Sequence, residues 1–113
     1  MKLYHYILND DKTIEKILVY ENGKFIDENL SRWNDHFNDI EKRRLGYDEI
    51  GNKIISTIFL GLDHSFSLTG ENPMPFETAI SIDGEFDIVE RYRSYNDAME
   101  GHKKWIKKIS SQS

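Results

Sequence analysis

The sequence contains no cysteine. Disulfides, thiolate zinc sites and cysteine nucleophiles are therefore excluded, and the composition suits a reducing cytoplasm. Proline is scarce: the two that occur, Pro73 and Pro75, fall in one loop. No apolar run approaches the roughly 18 residues that a membrane span needs. The opening MKLYHYILNDDK lacks a basic segment followed by a long apolar one, so no signal peptide is expected. Positive charge is in deficit, with 15 Lys and Arg against 20 Asp and Glu, a net charge of -5. That balance argues against nucleic acid as a partner, because phosphate contacts want a basic face. Lys103, Lys104, Lys107 and Lys108 nevertheless cluster. An acidic surface serves solubility, or docking on a basic partner. No repeat, low-complexity tract or flexible linker interrupts the chain.

The 113 residues amount to one domain. Its expected extent is 1–109, with a disordered tail at 110–113. Leu3 to Leu8 and Ile14 to Tyr20 read as strands, and Asn22-Gly23 as a turn. A helical period follows, with Leu30, Trp33, Phe37 and Ile40 on one stripe and Asp27 or Asn29 as its cap. Lys42 to Glu49 reads as a polar edge strand. KIISTIFL, residues 53 to 60, is apolar on both faces and belongs in the middle of a sheet. Ile55, Thr57 and Phe59 share one of those faces.

FETAISI, residues 76 to 82, alternates as a strand and returns through Asp83-Gly84 into Asp87 to Arg93. A two-residue turn there sets Glu77 opposite Glu90, an unfavourable pair. A loop of three or four residues, placing Glu77 beside Arg93 or Tyr92, is the preferred expectation. Ser94 caps a last helix, with Asp97 completing a variant capping box. Tyr95, Ala98, Met99, His102, Trp105, Ile106 and Ile109 form its apolar face. The expected fold is α+β: an antiparallel sheet of about four strands packed with two amphipathic helices.

Seven residues are candidates for a binding role: Asp63, His64, Glu77, Arg91, Tyr92, Arg93 and His102. Asp63 and His64 leave the central strand together, either as an acid/base or ligand pair or as a turn cap and a loop hydrogen bond. Glu77, Arg91, Tyr92 and Arg93 form a charged cluster on a hairpin. It suits either anion contact by guanidinium forks or cross-strand ion pairing. His102, on an apolar helix face, reads as a core histidine bonded to a carbonyl or carboxylate. A sharper alternative converges His102 and His64 with Glu77 or Asp63 on a transition metal, but no HxxxH or HxH spacing supports it. The loop GLDHSFSLTG is neither a phosphate-binding loop nor a nucleophile elbow. No catalytic residue, metal or cofactor is expected.

The blocks ISTIFLGLDHSF, PFETAIS and ERYRSYNDAMEGH, spread over the second half of the chain, resemble a family of small proteins of tailed phages and prophages. The shared pattern is an STxFLGLDHxF strand, an FET strand, then RY before a helix carrying alanine and a Gly-His pair. Here those last positions are Ala98, Gly101 and His102. Departures are Ala79 after FET and Ile82-Asp83-Gly84 in place of a glycine-rich turn. The resemblance implies a phage origin and an accessory role, and implies no reaction. The expected function is binding to a host protein in the bacterial cytoplasm, as an inhibitor of a defence system of the anti-CRISPR kind. The expectation is a non-enzyme away from membranes, with homodimerisation open. The alternatives are a small ligand-sequestering protein or enzyme built on an Asp/His/Glu/Arg pocket, and a minor virion component.

Overall fold

The computed structural model of the chain describes residues 1–62 and 73–111. Its elements follow the order β1 (Lys2–Leu8), β2 (Ile14–Glu21), β3 (Lys24–Phe25), α1 (Asp27–Asn38), α2 (Ile40–Arg43), β4 (Arg44–Ile50), β5 (Lys53–Phe59), β6 (Phe76–Ile82), β7 (Glu85–Tyr92) and α3 (Tyr95–Ser110). The α+β class holds, but the strands divide into two antiparallel sheets, β1-β2-β3 and β4-β5-β6-β7, rather than one.

In the smaller sheet, Asn22 and Gly23 take the positive φ values of a tight hairpin turn, which pairs Glu21 with Lys24. α1 lays Leu30 and Trp33 on Ile7, Ile17 and Val19. Its cap differs from expectation. Ile26 occupies the N-cap without a side-chain bond, while Asp27 and Asn29 lie inside the helix. The Asn29 amide instead donates to the Leu18 carbonyl at 2.8 Å, tying α1 to β2. The expected stripe is cut short, because Asp39 accepts from the Lys42 N–H and starts a new helical turn at Ile40. Phe37 and Ile40 are consequently exposed. Lys42 and Arg43 belong to that turn, and the edge strand begins at Arg44.

In the larger sheet β5 lies between β4 and β6, as its two apolar faces require. Ile55 meets Ile80 of β6 and Ile109, Trp105 and Ile106 of α3. Phe59 and Phe76 join Tyr6 and Leu8 of β1 with Tyr92 and Ala98, so this cluster carries the core from one sheet to the other. The Gly61 carbonyl reinforces that junction, accepting the Tyr6 N–H at 2.8 Å and the Trp33 indole N–H at 3.2 Å. Ser94 caps α3 by accepting the Asp97 N–H at 3.1 Å. The helix runs through Ser110, one residue into the expected tail, with Ser111 closing its end.

The β6–β7 hairpin corrects the loop expectation. Asp83 and Gly84 form a two-residue turn pairing Ile82 with Glu85. A bulge at Val89 then shifts the register, so that Glu77 faces Arg91 and Thr78 faces Glu90. The like-charge clash is avoided by an extra residue inside the strand rather than in the loop.

Candidate functional site

Beneath α3, a continuous line of polar side chains crosses all four strands of the larger sheet. Asp48 Oδ2 of β4 lies 2.7 Å from His102 Nε2 of α3. His102 Nδ1 lies 2.7 Å from Thr57 Oγ1 of β5, which lies 2.6 Å from Thr78 Oγ1 of β6. The Tyr92 hydroxyl of β7 follows at 2.9 Å from Thr78 and 3.2 Å from Glu90 Oε1. Glu90 also accepts from Lys104 Nζ at 2.6 Å and Trp105 Nε1 at 2.9 Å, returning the line to α3. Two glycines make room for it. A Cβ on Gly46 meets His102 Nε2 at 2.6 Å, and one on Gly101 meets the Tyr92 ring at 2.3 Å.

Donor counting allows this line two polarities, and only the one in which Tyr92 donates to Glu90 supplies a proton for every contact. A carboxylate only accepts, so His102 Nε2–H donates to Asp48. If Nδ1 is bare, Tyr92 donates to Thr78, Thr78 to Thr57, and Thr57 to His102. In the opposite sense Nδ1–H donates to Thr57, Thr57 to Thr78, Thr78 to Tyr92 and Tyr92 to Glu90, while the bond from His102 to Asp48 keeps its direction. Burial, together with the Glu90 carboxylate, pushes the Tyr92 phenol up to about 12, so it remains a donor at neutral pH. Burial alone raises Glu90, but the bonds from Lys104 and Trp105 outweigh it and hold the carboxyl below its ordinary value. All of these groups bond one another. They can brace the sheet and pass polarity along it, and their chemistry includes no activated nucleophile.

Beside the line, β7 and the first half of α3 enclose a cleft of about 590 Å³. Glu90, Arg91, Tyr92, Arg93, Glu100 and Lys104 line it, so three of the candidate residues meet in one place. Arg93 is exposed at its rim and has no ion-pair partner among the described residues. Arg91 Nε lies 3.7 Å from Glu77 Oε2, which matches the cross-strand reading of the hairpin.

Glu77 and His102 do not converge. Glu77 lines the face of the sheet turned away from α3, with Ile58, Ala79, Phe86 and Ile88, whereas His102 lies under α3 against Thr57. The sheet separates them. Asp63 and His64 lie outside the described residues. No group of three His, Cys, Asp or Glu side chains suited to a metal occurs among the described residues. No helix among them is long and apolar enough to cross a membrane.

His102 is the core histidine bonded to a carboxylate that its helix position indicates. Asp48, Thr57, Thr78 and Glu90 are members of the line that sequence reasoning missed. A signal for two of them was present: Thr57 interrupts the buried face Ile55–Phe59, and Thr78 interrupts Phe76–Ile80. A hydroxyl inside an apolar face needs a partner there.

Some of the positions on which the expected phage-protein resemblance rests meet here. Thr57, Thr78, Tyr92, Gly101 and His102 are all members of the line or make space for it. No protein-family model matches the chain, and neither a curated protein nor a solved structure matches it.

Proposed function

We propose that this chain acts by binding rather than by catalysis, as a phage-encoded accessory protein that engages a host protein at the β7–α3 cleft. The supporting observation is the division of labour around that cleft. Its floor is Tyr92 and Glu90, both locked into the buried line. Its rim is charged and solvent-facing, with Arg93 on one side and Glu100 and Lys104 on the other, and the half-buried Arg91 borders it. A rigid floor under a rim of mixed charge suits a polar protein surface, with guanidinium forks for the partner's carboxylates. Tyr92 of that floor, with Thr78 and Gly101 packed against it, belongs to the phage-family pattern, which supports linking the resemblance to the cleft. Inhibition of a bacterial defence system is the biological form of this reading, with action in the host cytoplasm.

The test is retention of a partner from bacterial lysate by the wild-type chain and by Arg93→Glu/Glu100→Arg, both at exposed positions. Expected is a protein held by the wild type and lost by the variant, with the two melting alike. Phage growth on hosts carrying different defence systems then shows the same dependence. Equal retention by both chains overturns the cleft as the contact. A small anionic metabolite co-purifying with the wild type alone favours the ligand-sequestering alternative.

A further inference from the structure

The face of the four-stranded sheet opposite α3 carries a different message from the cleft. Alternation and the observed register arrange it in rows: Arg44, Ile58, Glu77 and Arg91, then Tyr47, Ser56, Ala79 and Ile88, then Glu49, Ile54, Ser81 and Phe86. Phe86 is 55% exposed, Ile88 49% and Tyr47 43%. Ile58, Ala79, Phe86 and Ile88 border one hollow of about 440 Å³ there, with Ile40 at its margin. Aromatic and branched side chains exposed together on one sheet face mark a contact surface.

The edges of the sheet are poor contacts by comparison. Both outer strands are bulged, at Leu45 in β4 and at Val89 in β7, and β7 carries Glu85, Asp87 and Glu90. Bulges and edge charges block strand addition. The face, not the edge, is where another sheet can be accepted.

We propose that the occupant of this face is a second copy of the chain, packed sheet on sheet about a two-fold axis that lies in the contact plane and crosses the strands at right angles. The charges on β4 carry the argument. Arg44, Tyr47 and Glu49 form a line on the open side: the Arg44 guanidinium stands 4.9 Å from the Tyr47 ring centre, and the Tyr47 hydroxyl reaches Glu49 at 3.4 Å. That line is basic at one end and acidic at the other, so it complements itself when reversed. The two-fold axis reverses it. Arg44 of each copy meets Glu49 of the other, Tyr47 meets Tyr47, and Ile88 meets Ile88. On β7, Phe86 of one copy comes under Arg91 of the other, an arrangement that aromatic faces and guanidinium groups favour. Isologous contact requires this self-complementarity, and aligned sheet packing provides its geometry. The cleft opens beside α3, so the dimer presents two of them.

Size-exclusion chromatography with light scattering on the whole chain tests this over a wide concentration range. Expected is twice the 13.4 kDa chain mass. Ile88→Glu gives a monomer whose far-UV circular dichroism matches that of the wild type. Arg44→Glu sets two pairs of acidic groups face to face in the dimer and weakens it roughly tenfold or more. Adding Glu49→Arg to that variant restores the pairs in reverse and recovers the dimer, a rescue that a merely destabilised fold does not show. A monomer at every concentration overturns the proposal. So does a dimer indifferent to Ile88→Glu and Arg44→Glu, or one lost in Arg44→Glu and not recovered by the double swap. Cleft binding is read separately, so either proposal can fail alone.

Discussion

Each sheet of this protein buries a histidine, and the two are treated in opposite ways. His102, only 4% exposed under the larger sheet, has both ring nitrogens bonded, one to Asp48 and one to Thr57. His36, between α1 and the junction of the sheets, has one bond: the Leu8 N–H donates to its Nε2 at 3.2 Å. An Nε2 that accepts is bare, so the ring proton sits on Nδ1, where no partner occurs among the described residues. Phe59 stands edge-on to the ring at 5.4 Å. The first histidine belongs to a polar network that satisfies both ring nitrogens. The second is tolerated only as a neutral, mainly apolar filler. Burial is similar in the two cases, so partners rather than depth decide what a buried imidazole can do.

The largest effect that separates them comes from truncation. His102→Ala strands Asp48, Thr57 and the Thr78–Tyr92 line and opens a cavity, at an expected cost of about 3 kcal/mol. His36→Ala strands one backbone N–H and opens a cavity, at about 2 kcal/mol. Urea unfolding of the two variants decides the order. A His36 cost equal to or above the His102 cost removes the contrast.

A smaller and sharper effect is the pH dependence of the His36 half. Burial first, then Lys42 and Arg43, holds this imidazole below its ordinary value of 6.5, while Asp39 opposes them. The unfolded chain therefore takes up the proton before the folded one does. Stability from this group is complete above pH 6.5 and declines as pH falls from there toward the folded value. The slope is at most about 1.4 kcal/mol per pH unit for one proton. Denaturant midpoints of wild type and His36→Asn between pH 7 and pH 5 should converge as the pH drops, in phosphate and acetate buffers of matched ionic strength. Parallel curves contradict the assignment.

The smallest effect lies on the surface of the same half. Arg32 makes two bonds to Glu15, at 2.5 and 2.8 Å, across an exposed gap between α1 and β2. Both partners are solvated, so Glu15→Gln should change stability by less than about 1 kcal/mol, and less still in high salt. A loss as large as that of His36→Ala, by the same unfolding measurement, shows that the smaller sheet depends on surface charge.

Much of the larger sheet is legible in the sequence. The doubly apolar β5, the alternation of β6, the Ser94 cap and the core-facing side of α3 all follow from local periods and turn chemistry. The clash between Glu77 and Glu90 is visible as well, and points to a register change. Its location is not, because a bulge at Val89 and a longer loop satisfy the same pairing rule. The smaller sheet is less legible. Its hairpin is announced by Asn22-Gly23, but the stripe through Phe37 and Ile40 ends where Asp39 caps a new turn, a competition between one side-chain bond and two apolar contacts.

The candidate site shows the same division. Facing direction is a local property, set by a period of two in strands and 3.6 in helices. That is why His102 is placed correctly on the core side, and why Thr57 and Thr78 share a face with their buried neighbours. Partnership is not local. His102 meets Thr57 across 45 residues and Asp48 across 54, and only the docking of α3 on the four strands selects them. The sequence by itself determined which side chains look inward, where the turns fall, and which chemistry the absence of cysteine excludes. Tertiary structure alone decided that Glu77 and His102 stand on opposite faces of one sheet, that the hydroxyls align into a single line, and that the other face stays open. Register and packing are set by contacts between distant segments, whose energies no local pattern contains.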